Sequence, residues 1–133
     1  IDASTTVQYM IPHLAAIDGL TVCTNGVDTV MRLADARIRA VSTGGELLAE
    51  SMAYVGPIAA DTVRRFYFDA AFFSSAGFDE ECISDWSESE TVLRRVVLEQ
   101  AKAKYFLADH TKLGKKFPYI LCRISGLDAV ICE

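Results

Sequence analysis

The sequence predicts an α/β fold in which a mostly parallel, buried sheet is flanked by helices. Short runs rich in β-branched and aromatic residues recur without strict polar alternation, which is how strands covered on both faces read. Helix-period segments separate them, the alternation expected of parallel sheets. With 51% hydrophobic and 23% charged residues in 133, the chain can fill one core without staples, and a single domain over residues 1–133 is expected.

In chain order, residues 20–24, 38–43, 69–74, 105–108 and 128–132 read as strands. Residues 27–36 and 57–66 read as helices, the second opening on Pro57, where a missing N–H removes no hydrogen bond. The clearest helix is predicted over residues 88–104. There Leu93, Val96, Val97 and Ala101 recur at helical spacing, Glu88 and Glu90 occupy the electropositive first turn, and Lys102 and Lys104 suit the other end. Ile1-Asp2 reads as the end of a buried strand running into Ala3-Ser4-Thr5-Thr6, with a helix starting near Thr6 or Val7. The expectation is therefore a fragment lacking most of a first strand and whatever preceded it.

Composition excludes several classes of function. A net charge of -5 supplies no general attraction for a nucleic-acid backbone, so no DNA binding by this chain alone is expected. Cys23, Cys82, Cys122 and Cys132 form no C-x-x-C pair. They read as small buried hydrophobes in a reducing compartment rather than as disulfides or metal ligands. His13 and His110 are isolated and read as surface residues. No metal or cofactor is expected. No apolar run approaches the roughly 20 residues of a membrane span, which points to a cytoplasmic protein without a membrane partner.

Four segments could carry a ligand. Ser4, Thr5 and Thr6 stand at a helix start, where hydroxyls and free backbone N–H groups suit an anion, although an ordinary N-cap reads the same way. Thr24-Asn25-Gly26 ends one strand and would face the cleft at the carboxyl ends of a parallel sheet, where such folds bind ligands. Gly44-Gly45-Glu46 follows the next strand, and paired glycines allow close approach of backbone to ligand or merely a turn. Residues 108–115 (ADHTKLGK) form a loop after a short strand, in which Lys112 would be a point charge for a phosphate or a solvated lysine.

Together these segments resemble an ordered set of motifs. Asp2-Ala3-Ser4-Thr5-Thr6, residues 20–26 (LTVCTNG), Gly44-Gly45-Glu46-Leu47, Val55-Gly56-Pro57, residues 69–73 (DAAFF), Gly77-Phe78-Asp79 and residues 108–114 (ADHTKLG) are similar to the C-terminal sensor domain of DeoR-family transcriptional regulators. The resemblance runs from Asp2 to near Cys132. It implies a Rossmann-like sheet of the ribose-5-phosphate isomerase type, a phosphorylated-sugar effector, a homo-oligomer, and operator DNA bound only through a preceding winged helix-turn-helix. Carried over by residue, it implies that Asp2 meets sugar hydroxyls, that Ser4, Thr5 and Thr6 hold the phosphate, and that Lys112 adds positive charge. Asn25, Gly44, Gly45, Gly77, Asp79 and Glu90 are further pocket candidates.

The chain departs from the family pattern at Ala3, where glycine is common nearby, at His110, where serine is common, and at Arg94, where a lysine is replaced by arginine. Three functions are weighed: a ligand sensor, an aldose-ketose isomerase of the same fold, and a purely structural oligomerisation domain. Isomerisation needs a carboxylate base and a group polarising the carbonyl. The isomerase family's acidic cluster and lysine-bearing glycine-rich segment are absent where Ser74-Ser75-Ala76-Gly77 stands, so a sensor without catalytic residues is expected.

Overall fold

A computed structural model describes residues 1–133. The chain opens with two helical turns, α1 (Thr5–Gln8) and α2 (Ile11–Leu14). Ser4 caps α1 by accepting from the Val7 amide, which satisfies one of the orphan donors of the helix start. β1 (Thr21–Thr24), α3 (Val27–Asp35) and β2 (Arg39–Ser42) follow as one parallel unit, Thr21 opposite Arg39. A hairpin of β3 (Glu46–Leu48) and β4 (Ala53–Val55) leads into α4 (Gly56–Val63), with proline in its first turn, and then β5 (Phe68–Phe73).

The second half places β6 (Gly77–Phe78) and β7 (Cys82–Asp85) before α5 (Glu88–Glu99). β8 (Ala101–Ala108), β9 (Tyr119–Arg123) and β10 (Ala129–Cys132) complete the chain. β5, β8 and β10 form a parallel sheet in the order β10-β8-β5. β6, β7 and β9 form a separate antiparallel sheet.

The two parallel sheets are joined only by the first two residues. The Ile1 amino group donates to Cys23 O (2.9 Å) on β1, and the Asp2 amide donates to Phe72 O (3.2 Å) on β5. Residues 1–2 thus stand between β1 and β5, each of which pairs on its other edge with β2 or β8.

The main core lies under β5, β8 and the antiparallel sheet. Phe73, Phe78 and Phe106 pack together with Ile83 and Leu121, and the Phe106 ring meets Phe78 edge-on at 5.3 Å. Each fully buried side chain of this size contributes about 1.5–3 kcal/mol. A second cluster joins Ala59, Ala60 and Val63 of α4 to Leu93 and Val96 of α5.

Two expectations are corrected. The long helix stops at Glu99, not at residue 104, because Ala101 pairs with Phe68 and opens β8. Gln100 closes the helix: its carbonyl accepts from Phe68 N, and its Nε2 donates to Phe66 O at 2.8 Å. The cysteines are free, but none is fully buried: Cys23, Cys82 and Cys122 are half-buried and Cys132 is exposed on the edge strand β10. His13 and His110 are exposed.

Candidate functional site

Parallel pairing puts the carboxyl ends of β1 and β2 together and those of β5 and β8 together, and the chain at Asp2-Ala3 meets both, with Ala3 beside Gly26 and Asp2 on the Ser74 amide. The chain leaving Asp2 enters α1 there, and the loop after β8 returns to the same place. At its centre the Asp2 carboxylate accepts four hydrogen bonds. Its Oδ1 takes the Ser4 amide (3.0 Å) and Ser4 Oγ (2.6 Å), and its Oδ2 takes the Ser74 amide (3.1 Å) and Arg94 Nε (3.0 Å). Asp2 is buried, and its acceptor sites are filled by the protein itself.

Arg94, projecting from α5, is the second hub. Besides Asp2 it donates from Nη1 to Asp85 Oδ2 (3.1 Å), and its Nη2 lies 3.8 Å from Glu90 Oε1 one helical turn away. Burial alone would lower its pKa, but Asp2, Asp85 and Glu90 more than offset that and raise it, so the guanidinium stays charged. Asp85, at the end of β7, is itself saturated: it accepts from Ser75 Oγ and the Ala76 amide, and its other oxygen takes the Ser87 amide. One guanidinium therefore ties together the chain start, the ends of β5 and β7, and α5.

Lys112 is built differently. Its Nζ donates to Ser74 Oγ (2.9 Å) and Thr6 Oγ1 (3.3 Å), and no carboxylate pairs with it. Asp109 folds the loop that carries it, accepting from the Thr111 amide and hydroxyl. That hydroxyl, ahead of the amide, pulls the Asp109 carboxyl below its usual range. The Gly114 amide donates to Phe78 O, fastening the same loop to β6.

The predicted residues fall into three groups. Asp2, Ser4, Thr6, Glu90 and Lys112 join one network through Arg94 and Ser74, and Thr5 stands exposed beside it at the first position of α1. Asn25, Gly44 and Gly45 lie at the ends of β1 and β2. Asn25 Nδ2 donates to Tyr54 O (3.0 Å), holding β4 against β1. Gly44 and Gly45 have positive φ, 60° and 117°, and a Cβ on Gly45 would stand 2.8 Å from Val55 O. Gly77 and Asp79 lie on the antiparallel sheet. Gly77 leaves room for Lys115 O, 2.5 Å from where its Cβ would be. Asp79 organises the β6–β7 turn by accepting from the Glu81 and Cys82 amides and pairs with Lys116. The Cys82 and Glu81 amides, followed by Lys116, lower its pKa to about 2.

Ser74, Asp85 and Arg94 escaped the sequence reading as site residues. Arg94 was visible only as a substitution on a helix, and nothing local shows that its face turns to Asp2, 92 positions earlier. Asp85 precedes Trp86 and the N-cap Ser87, a plain helix entry in sequence. Trp86, the one tryptophan, is half exposed between Asp85 and the N-cap Ser87.

The family model described as the DeoR C terminal sensor domain matches residues 1–133. The chain belongs to that family. DeoR-type sensor relatives include the uncharacterized HTH-type transcriptional regulator YulB of Bacillus subtilis, 34% identical over 96% of this chain and 54% of the relative. The HTH-type transcriptional repressor GlcR of the same organism is 32% identical over 100% of this chain and 52% of its own length. The chain thus spans about half the length of these curated relatives, which are named as regulators and a repressor, not as enzymes. Among solved structures, ribose 5-phosphate isomerase A from Methanocaldococcus jannaschii shares the fold, with TM-score 0.55 and 20% identity over 86% of this chain and 45% of that one. The DeoR sensor fold is accordingly an α/β fold of the ribose-5-phosphate isomerase type.

Proposed function

We propose that this domain is the effector-sensing part of a cytoplasmic, homo-oligomeric transcriptional repressor, and that its effector is a phosphorylated sugar bound at the strand ends around Lys112. The observation carrying this is the contrast between the two buried-side cations. Arg94 is surrounded by Asp2, Asp85 and Glu90, whereas Lys112 meets only the hydroxyls of Thr6 and Ser74. A lysine beside neutral hydroxyls and a helix start keeps its charge available for an anion.

Thr5, Thr6 and Lys112 would hold the phosphate. Ser4 would act as the N-cap that sets their position, and Asp2 as the group that anchors Ser4 and Ser74. Glu90, buried and without a direct hydrogen bond to Arg94, is the carboxylate best suited to a sugar hydroxyl. Asn25, Gly44 and Gly45 would shape the opposite wall, and Gly77 and Asp79 would brace the Lys112 loop. Asp2 and Asp85 are occupied by Arg94 and backbone donors, which fits binding without proton abstraction better than isomerisation. Operator DNA would be contacted by a helix-turn-helix segment outside these residues, in keeping with the relatives' names and with the acidic charge here.

Calorimetric titration with sugar phosphates and their unphosphorylated parents tests the reading. Phosphorylated ligands should bind much more tightly than their unphosphorylated parents, and Thr5→Glu, which puts a carboxylate at the cradle, should abolish that preference in a folded protein. Undiminished binding by Thr5→Glu would reject the site.

A further inference from the structure

Two successive arginines on α5 turn to different neighbours. Arg94 is buried in the hub, whereas Arg95 is exposed and lines an open cleft of about 340 Å³ between the second half of α5, β8 and β9. The floor of that cleft is apolar: Leu98 and Leu121 are buried in it and Leu127 is half-buried. Two further cations join Arg95 on its walls, Lys104 from β8 and Arg123 from the end of β9.

None of the three is ion-paired, because the ion pairs of the chain engage only Arg64, Arg94 and Lys116. Glu99 also lines the cleft without pairing with them, and Asp128 Oδ2 accepts from the Lys104 amide (2.8 Å) rather than from its ammonium. Arg95 is held over β9 by its Nη2, which donates to Ile120 O. The Cys122 thiol shows how near two of the charges stand: burial, ahead of Cys82, pushes it up to about 11 against the pull of Lys104 and Arg95. In a chain with more acidic than basic side chains, three unpaired cations around one hollow are a local exception, and they repel one another until an anion joins them.

We propose that this cleft is a second ligand site, taking a small organic dianion whose charged end is met by Arg95, Lys104 and Arg123 and whose apolar body lies on Leu98, Leu121 and Leu127. Three cations against the single carboxylate of Glu99 leave an excess of positive charge that a dianion neutralises. The leucines select the other half of the ligand, since a fully hydrated ion gains nothing from an apolar floor. A long polyanion is repelled by the net charge of -5, whereas a small one meets only the local field of the cleft. The site uses neither Lys112 nor Thr5 and does not depend on the sugar-phosphate reading.

The test uses phenyl phosphate, a dianion with an apolar ring, on the intact chain. Cys122 lines the cleft and Cys132 is exposed outside it, so alkylation of the two thiols by iodoacetamide, followed peptide by peptide, separates occupancy of the cleft from any general effect. Phenyl phosphate at about 10 mM should slow alkylation of Cys122 at least about threefold and leave Cys132 unchanged. The amide resonances of Gly126 and Leu127, on the same cleft, should shift in that titration. Phenol and inorganic phosphate, each carrying one half of the probe, should act more weakly. Lys104→Gln combined with Arg123→Gln, at two side chains without ion pairs, should lower the affinity at least about tenfold while leaving the melting temperature unchanged. Silence of both reporters, equal protection by phenol or by inorganic phosphate, or undiminished affinity in the double variant would overturn the inference.

Discussion

Asp2 stands between two regions of unlike construction. On its carboxyl-end side the polar groups are tied together: Arg94 is ringed by Asp2, Asp85 and Glu90, and the oxygens of Asp2 and Asp85 are filled with donors. On its amino-end side lies a cavity of about 460 Å³ between two strands that lack partners along the facing edges. The first region is crowded with polar contacts except at Lys112, and the second is an apolar gap. Polar saturation fixes geometry, whereas an open apolar gap leaves its walls weakly held.

The hub is the place to break that contrast hardest. Arg94→Met would leave three carboxylates, those of Asp2, Asp85 and Glu90, buried without their cation and should lower the unfolding free energy by about 3–5 kcal/mol in urea titrations. Adding Asp2→Asn and Asp85→Asn should restore part of it. A loss below about 1 kcal/mol for Arg94→Met would show the hub to be dispensable.

Lys112 tests the hub's single unmatched charge. Lys112→Ala should weaken binding of a sugar phosphate by about 1.5–3 kcal/mol while leaving the unphosphorylated sugar unaffected. Equal losses for both ligands in calorimetry would remove Lys112 from phosphate recognition.

In the gap, truncation should matter less, because the space already exists. Val97→Ala, on the cavity wall, is expected to cost under about 1 kcal/mol in urea unfolding, a surface-like value. A larger loss would mean that the gap is tightly packed.

The smallest effect is a pH slope. Burial pushes the Cys23 thiol up from its ordinary 9.0, so above that pH the unfolded chain binds fewer protons than the folded one. The stabilising contribution is present below pH 9 and is lost as pH rises toward the raised folded value. Urea midpoints should therefore fall between pH 8 and 10. Cys23→Ala should flatten that difference.

The β1–α3–β2 unit and β5 were legible because buried strands and helices announce themselves within one window of sequence. β8 was hidden at its start. Ala101-Lys102-Ala103-Lys104 continues a helix by propensity, and only its two-residue alternation, with Ala101 buried and Lys102 exposed, betrays the strand. The antiparallel sheet was invisible because Gly77–Phe78 is two residues long and β9 meets β7 only after an intervening helix and strand. For the same reason Ser4 through Thr6 and Lys112 were found from local chemistry, while Asp85 and Arg94, whose meaning lies in distant partners, were not.

The position of Trp86 has an optical consequence. It is the one indole in the chain, half exposed, with Asp85 on one side and the α5 cap Ser87 on the other. Its emission is therefore free of signal from any second tryptophan, and its wavelength depends on how wet that junction is. A movement of the chain between Asp85 and Ser87 that alters its exposure would change the colour of the emitted light. Fluorescence from the unlabelled chain thus reports on the entry to α5, at concentrations far below those calorimetry needs.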